Sequence, residues 1–266
     1  MRRQGFSLVE LVVSLALFGG FAGALYATLT GMHRMYRRLT VQTELQVTLR
    51  GAAEILAQEL RGLDTADSAG SDLLDPGDAW VIHRAMRSVY AACAPPLTGA
   101  LVLDTSWAGL RPLDPEQDSV LVLAGATRWL HADVVSAISG NDCPGGGPSL
   151  RLTLRPPLAG ADSVVAGSPV RAFEVVEWRA YRDAAGDTWL GQRRHQKGLG
   201  WSTFQPVTGP LRQPGLAFSY YGADGAPADP TGPGVARITV TIVATSLDRR
   251  TVDSVVTHVA LRNSRH

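Results

Sequence analysis

Glu10 is the only charged side chain in the apolar run from Phe6 to Leu29. In a helix rising about 1.5 Å per residue it lies about 6 Å from Phe6. A carboxylate at the centre of a membrane helix costs roughly 2.5–3.5 kcal/mol, and less near an aqueous edge. The cost grows once the helix packs among others away from the headgroups. An acid in that setting calls for a cation, and the run contains none. Cleavage after Gly5 would create one, because the new amine of Phe6 on a neighbouring chain could face Glu10. Gly5, Phe6 and Glu10 are therefore the residues whose types and spacing could carry chemistry, and that chemistry is charge pairing with an amine that such a cleavage would free.

The remainder offers little for catalysis. No G-x-S-x-G, phosphate-cradling glycine loop or dinucleotide fingerprint occurs. The histidines (His33, His83, His131, His195, His258 and His266) are scattered, with no HExxH and no paired ligand spacing. Asp72, Asp75 and Asp78 form one acidic group and Asp114, Glu116 and Asp118 another. Neither has the order of an EF-hand, so both read as solvated loops. Cys93 and Cys143 stand beside Pro and Gly in turn-like segments. They suit either a disulfide in an oxidising compartment or two separate thiols. Arg193-Arg194-His195-Gln196-Lys197, close to Trp189 and Trp201, is the one basic-aromatic cluster. Such a patch can contact phosphates and stack bases, but an exposed hairpin end with packed tryptophans is favoured. No catalytic residue, metal, cofactor, small-molecule substrate or nucleic-acid partner is expected.

These residues need elements to hold them. Phe6–Leu29 is long enough as a helix, about 36 Å, to cross a bilayer core of about 30 Å. Beyond Gly31, the residues Leu45, Leu49, Ala52, Leu56, Leu60 and Leu63 recur in steps of three and four, opposite Gln46, Arg50, Glu54, Gln58, Glu59 and Arg61. No proline interrupts Ser7–Leu63, so one helix is expected, with Gly31 and Gly51 as possible kinks. Asp64–Gly77, rich in small, acidic and turn residues, reads as a connector. Strands are expected at Trp80–Arg84, Ala100–Asp104, Ser119–Ala124, Leu150–Arg155, Arg171–Arg182, Asp187–Arg193, Leu216–Tyr221, Val235–Thr245 and Thr251–Arg262. The organisation follows: 6–29 a membrane helix, 30–63 its amphipathic continuation, 64–78 a connector, and 79–266 a β-rich head, with residues 1–5 ahead of the helix and a leader by the resemblance given below. The fold class is α+β, a long N-terminal helix packed on a mostly antiparallel sheet.

Composition agrees. All 16 prolines of the 266-residue chain lie at or after Pro76, which separates a helical front from a turn-punctuated rear. The 25 basic residues nearly cancel the 24 acidic ones, so charge gives no bias toward nucleic acid. A hydrophobic share of 45% excludes disorder, and two cysteines exclude a disulfide-dense scaffold.

The segment Gly5-Phe6-Ser7-Leu8-Val9-Glu10, followed by about twenty apolar residues, resembles the cleavage and methylation signal of type IV pilins and type II secretion pseudopilins. The resemblance implies cleavage between Gly5 and Phe6 by a prepilin peptidase at the cytoplasmic face and N-methylation of Phe6. It also implies other pilin or pseudopilin subunits as partners, with Glu10 facing a neighbour's amine in a filament. By the same resemblance the chain is single-pass in the inner membrane with its head in the periplasm. The long helix, the strand-rich head and the Trp-Leu-Gly-Gln-Arg-Arg segment resemble the larger minor pilins and J-type minor pseudopilins. The expected role is initiating or capping a filament. Two alternatives stand beside it. One is a secreted, soluble β-rich binding or hydrolytic protein whose ordinary signal is cut after Ala22-Gly23-Ala24. The other is a tip adhesin or DNA-uptake receptor on the same anchor.

Overall fold

The computed structural model describes residues 7–66, 68–97, 99–158 and 163–262. A single α-helix, α1 (Leu8–Arg61), takes up the front of the chain and runs through Gly31 and Gly51 without interruption. The chain divides into two compact units, Met1–Val47 and Thr48–His266. The described part of the first unit is helix alone. Its apolar side chains are exposed, among them Leu8, Phe18, Phe21 and Tyr26. Soluble helices bury such a surface, so this one lacks its natural environment.

The second unit contains the end of α1 and a sheet. Along α1 the residues Leu49, Ala52, Leu56 and Leu60 are buried, as is Leu63 just beyond. This is the stripe that the three- and four-residue spacing predicts. Thirteen strands follow: β1 (Leu73–Pro76), β2 (Trp80–Ala91), β3 (Ala100–Asp104), β4 (Ala108–Gly109), β5 (Ser119–Ala124), β6 (Arg128–Cys143), β7 (Gly147–Arg155), β8 (Pro169–Arg182), β9 (Thr188–Gln196), β10 (Gly200–Trp201), β11 (Gln205–Tyr221), β12 (Arg237–Thr245) and β13 (Val252–Ala260). The main sheet runs β13-β12-β11-β9-β8-β5-β6-β7-β3, with β2 also on β8, and the pairings are antiparallel. The α+β class expected from sequence is the observed one.

One half of the sheet curls until it meets itself. Ala92, just past β2, bridges Leu103 of β3, and the Cys93 N–H donates to the Val102 carbonyl at 3.0 Å. The ring β2-β8-β5-β6-β7-β3 closes around Leu101, Leu103, Val120, Val122, Val134, Leu152, Leu154 and Val170, all buried. Closure gives β3, otherwise the last strand of the order, a second neighbour at Ala92. The Cys93–Cys143 disulfide joins the end of β6 to the segment that makes the closing bridge. Cys143 is the last residue of β6 and not a loop residue.

A chain of buried charges ties the end of α1 to the sheet. Arg87 on β2 donates through Nη1 and Nη2 to Glu59 of α1 at 3.0 and 3.2 Å, and through Nε to Glu174 of β8 at 2.5 Å. Glu174 also meets Arg111, which grips Asp118 with two bonds of 2.6 and 2.7 Å. Each carboxylate is matched by a guanidinium, as groups removed from water must be.

The sheet is larger than the sequence reading. β6 was not foreseen, and β1 lies inside the segment read as a connector. β11 begins well before Leu216; its ladder with β9 shifts between Thr208 and Leu211 and its ladder with β12 between Leu211 and Leu216, which accommodates Pro210 and Pro214.

Candidate functional site

The first described residue, Ser7, caps α1. Its Oγ accepts from the Val9 N–H at 3.3 Å, its carbonyl accepts from the Leu11 N–H at 3.2 Å, and its own N–H donates to Glu10 Oε2 at 3.1 Å. This is the reciprocal Ser-x-x-Glu arrangement that satisfies donors at a helix start. Glu10 therefore sits in the first turn, where the helix dipole favours an anion. Sequence reasoning singled out Glu10 but not Ser7, although the Ser-x-x-Glu spacing was the available signal. Cleavage between Gly5 and Phe6 would leave the Ser7 amide in place, so the cap survives processing. Gly5 and Phe6 themselves lie outside the described residues.

Around Glu10 the helix surface is apolar and exposed. The apolar side chains of this stretch, from Leu8 to Leu29, lie exposed. Length and composition suffice for one crossing of a membrane. The α-helix passes through Ala22-Gly23-Ala24 without a break.

In the head, the groups that had been weighed for other chemistry serve the fold. Asp72 and Asp118 are buried, not solvated. Asp72 faces Arg84 and Arg171 at 3.6 and 3.7 Å and accepts from the Asp64 N–H, while Asp118 is held by Arg111. Asp114 caps the turn before β5 by accepting from the Glu116 N–H. Among the described residues no group of three or more His, Cys, Asp or Glu is placed to hold a metal ion.

The basic-aromatic cluster is largely self-engaged. The Arg193 guanidinium lies 4.8 Å from the Trp201 ring and 4.7 Å from Phe204, and it pairs with Glu177. Arg179 shares Glu177 and lies over Trp80 and Phe204. His195 meets Trp201 edge-on. Lys197 Nζ donates to the carbonyls of Pro115, Asp118 and Val134, which pins the hairpin tip, and burial pulls its pKa down. Trp189 is turned to Asp183 at 2.8 Å. Arg179 and Arg193 are thus stacked on rings and share one carboxylate within this face.

Residues 1–26 match the family model described as the prokaryotic N-terminal methylation motif. No curated protein and no solved structure matches the chain. The match, together with the long apolar helix, supports a type IV pilin-like protein and fits a membrane-anchored single-pass chain. The motif implies processing by a prepilin peptidase and assembly with other pilins.

Proposed function

We propose that this chain is a minor pilin or pseudopilin subunit that helps to initiate or cap a type IV pilus or type II secretion pseudopilus. Its helix anchors it in the inner membrane, its head stands in the periplasm, and it performs no catalysis. The methylation motif carries the reading, because it ends in an exposed apolar helix with one acid in its first turn. Gly5 and Phe6 are the cleavage pair, and Phe6 takes the methyl group. Glu10 then sets register by pairing with the Phe6 amine of the next subunit. The unbroken helix through Ala22-Gly23-Ala24 favours a retained anchor over a signal cut at that point. The J-type minor subunit is the proposed subtype, argued from the long helix, the β-rich head and its closing hairpins.

The test is processing. Gly5→Val places a branched side chain at the cleavage site, where it crowds the peptidase. Expressed with a prepilin peptidase, the natural chain should lose the mass of residues 1–5 and the variant should keep it. Processing at the natural rate in the variant would contradict recognition at that site.

A further inference from the structure

The head carries a cationic cavity that the assembly reading does not use. It is an open pocket of about 320 Å³, lined by exposed arginines and formed where three irregular segments converge: the β8–β9 turn, the shifted stretch of β11, and the β12–β13 turn. Arg182, Arg212 and Arg249 line it, one from each segment, and Asp187 is the only carboxylate among the lining residues. Asp187 is committed to Arg249, with Nη2 to Oδ1 at 3.0 Å. Arg182 bonds the neutral Gln213 at 2.6 Å. Three guanidiniums thus share one carboxylate around a single cavity.

A second observation is independent of charge. Arg249 has φ of +58°, and it is the one described non-glycine residue with positive φ. The left-handed region costs an ordinary residue conformational energy, and glycine is its usual occupant. The turn holds Arg249 there through Asp248, which accepts from the Ser246 Oγ and the Arg250 N–H, while Ser246 Oγ accepts from the Thr251 N–H. Such a conformation is uncommon outside glycine, and here it falls at the residue that brings a guanidinium to the cavity. Leu211 and Thr188, both buried, supply an apolar and hydroxyl-bearing wall.

We propose that this cavity binds an oxyanion of carboxylate or phosphate type, held by the forked donors of Arg182, Arg212 and Arg249. Arginine forks match both groups in a bidentate way. The shared chemistry admits two sources, a free small oxyanion or an acidic side chain of a neighbouring polypeptide. The proposal stands on the head alone and does not depend on the filament reading.

The test titrates the full chain, in a zwitterionic detergent at low salt, with inorganic phosphate and with a blocked Val-Glu-Val peptide, read by calorimetry. Saturable binding that weakens with added salt is expected from at least one probe. Tighter phosphate binding assigns the site to a free oxyanion, and tighter peptide binding assigns it to a polypeptide acid. Arg182→Ala combined with Arg212→Ala should weaken binding at least tenfold, whereas Arg193→Ala, outside the cavity, should leave it unchanged. Asp187→Asn should tighten binding by freeing Arg249. Arg249→Gly suits the backbone, so it should fold at least as well as the natural chain and bind severalfold more weakly. Absence of saturable binding by both probes, or equal binding by the Arg182/Arg212 variant, overturns the proposal.

Discussion

At Glu10, one carboxylate is asked to serve two partners. In the isolated chain it accepts from the Ser7 N–H, and in the proposed filament it pairs with a neighbour's amine. Glu10→Ala should therefore leave membrane insertion intact, because removing a charge from an apolar helix does not disfavour insertion. It should lower incorporation into filaments at least about tenfold, since an unpaired amine among packed helices costs more than the roughly 1.4 kcal/mol that a tenfold change represents. Incorporation at the natural level would remove the charge-pairing role. His83 is the second decisive residue. It is buried on β2, and burial lowers its pKa against the opposing pull of Glu59 and Glu174, with Arg87 adding to the lowering. The native state thus holds the ring neutral, while the unfolded chain takes up a proton near pH 6.5. Stability contributed by the neutral ring is full above that pH and is lost as pH falls toward the lowered native value, by up to about 1.4 kcal/mol per pH unit. Denaturant midpoints from pH 7.5 to 5 should fall less steeply in His83→Leu than in the natural chain. Equal slopes would show that other groups dominate acid sensitivity.

At the scale of elements, the closed half of the sheet depends on a bridge at its seam, and the disulfide lies beside that bridge. A crosslink across a sequence separation of 50 removes enough freedom from the unfolded chain to contribute about 4 kcal/mol. Cys93→Ser with Cys143→Ser should lower unfolding stability by about that amount, measured by denaturant titration, and reductant should do the same to the natural chain. Loss of less than about 1 kcal/mol would mean that the buried ring holds the seam unaided. Elements were legible where both faces of a strand are apolar. Ala100–Asp104 and Ser119–Ala124 have the ends read from their Leu and Val runs, because they are buried on both sides. β6 was missed because Arg128–Cys143 mixes polar and small residues and mostly faces solvent, so its membership rests on pairing with β5 and β7. The burial of Asp72 escaped the sequence for a similar reason: its guanidinium partners, Arg84 and Arg171, come from β2 and β8. The helix stripe was visible because its spacing is local, with every member but Leu63 inside α1.

For the whole molecule, the division of labour is between an apolar anchor and a folded head. The anchor's chemistry sits in six consecutive residues, which is why it could be read without a structure and why it is the part matched by a family model. The head's cavity is assembled from Arg182, Arg212 and Arg249, which no spacing rule links, so it became visible only with the fold. The central claim is that the chain keeps its apolar helix after processing at Gly5–Phe6. The measurement that tests it most directly is the mass of the N-terminal peptide of the mature protein taken from its native membrane. A peptide beginning with N-methylated Phe6 is the predicted result, and a terminus at Leu25 would contradict the account by making the protein a secreted one.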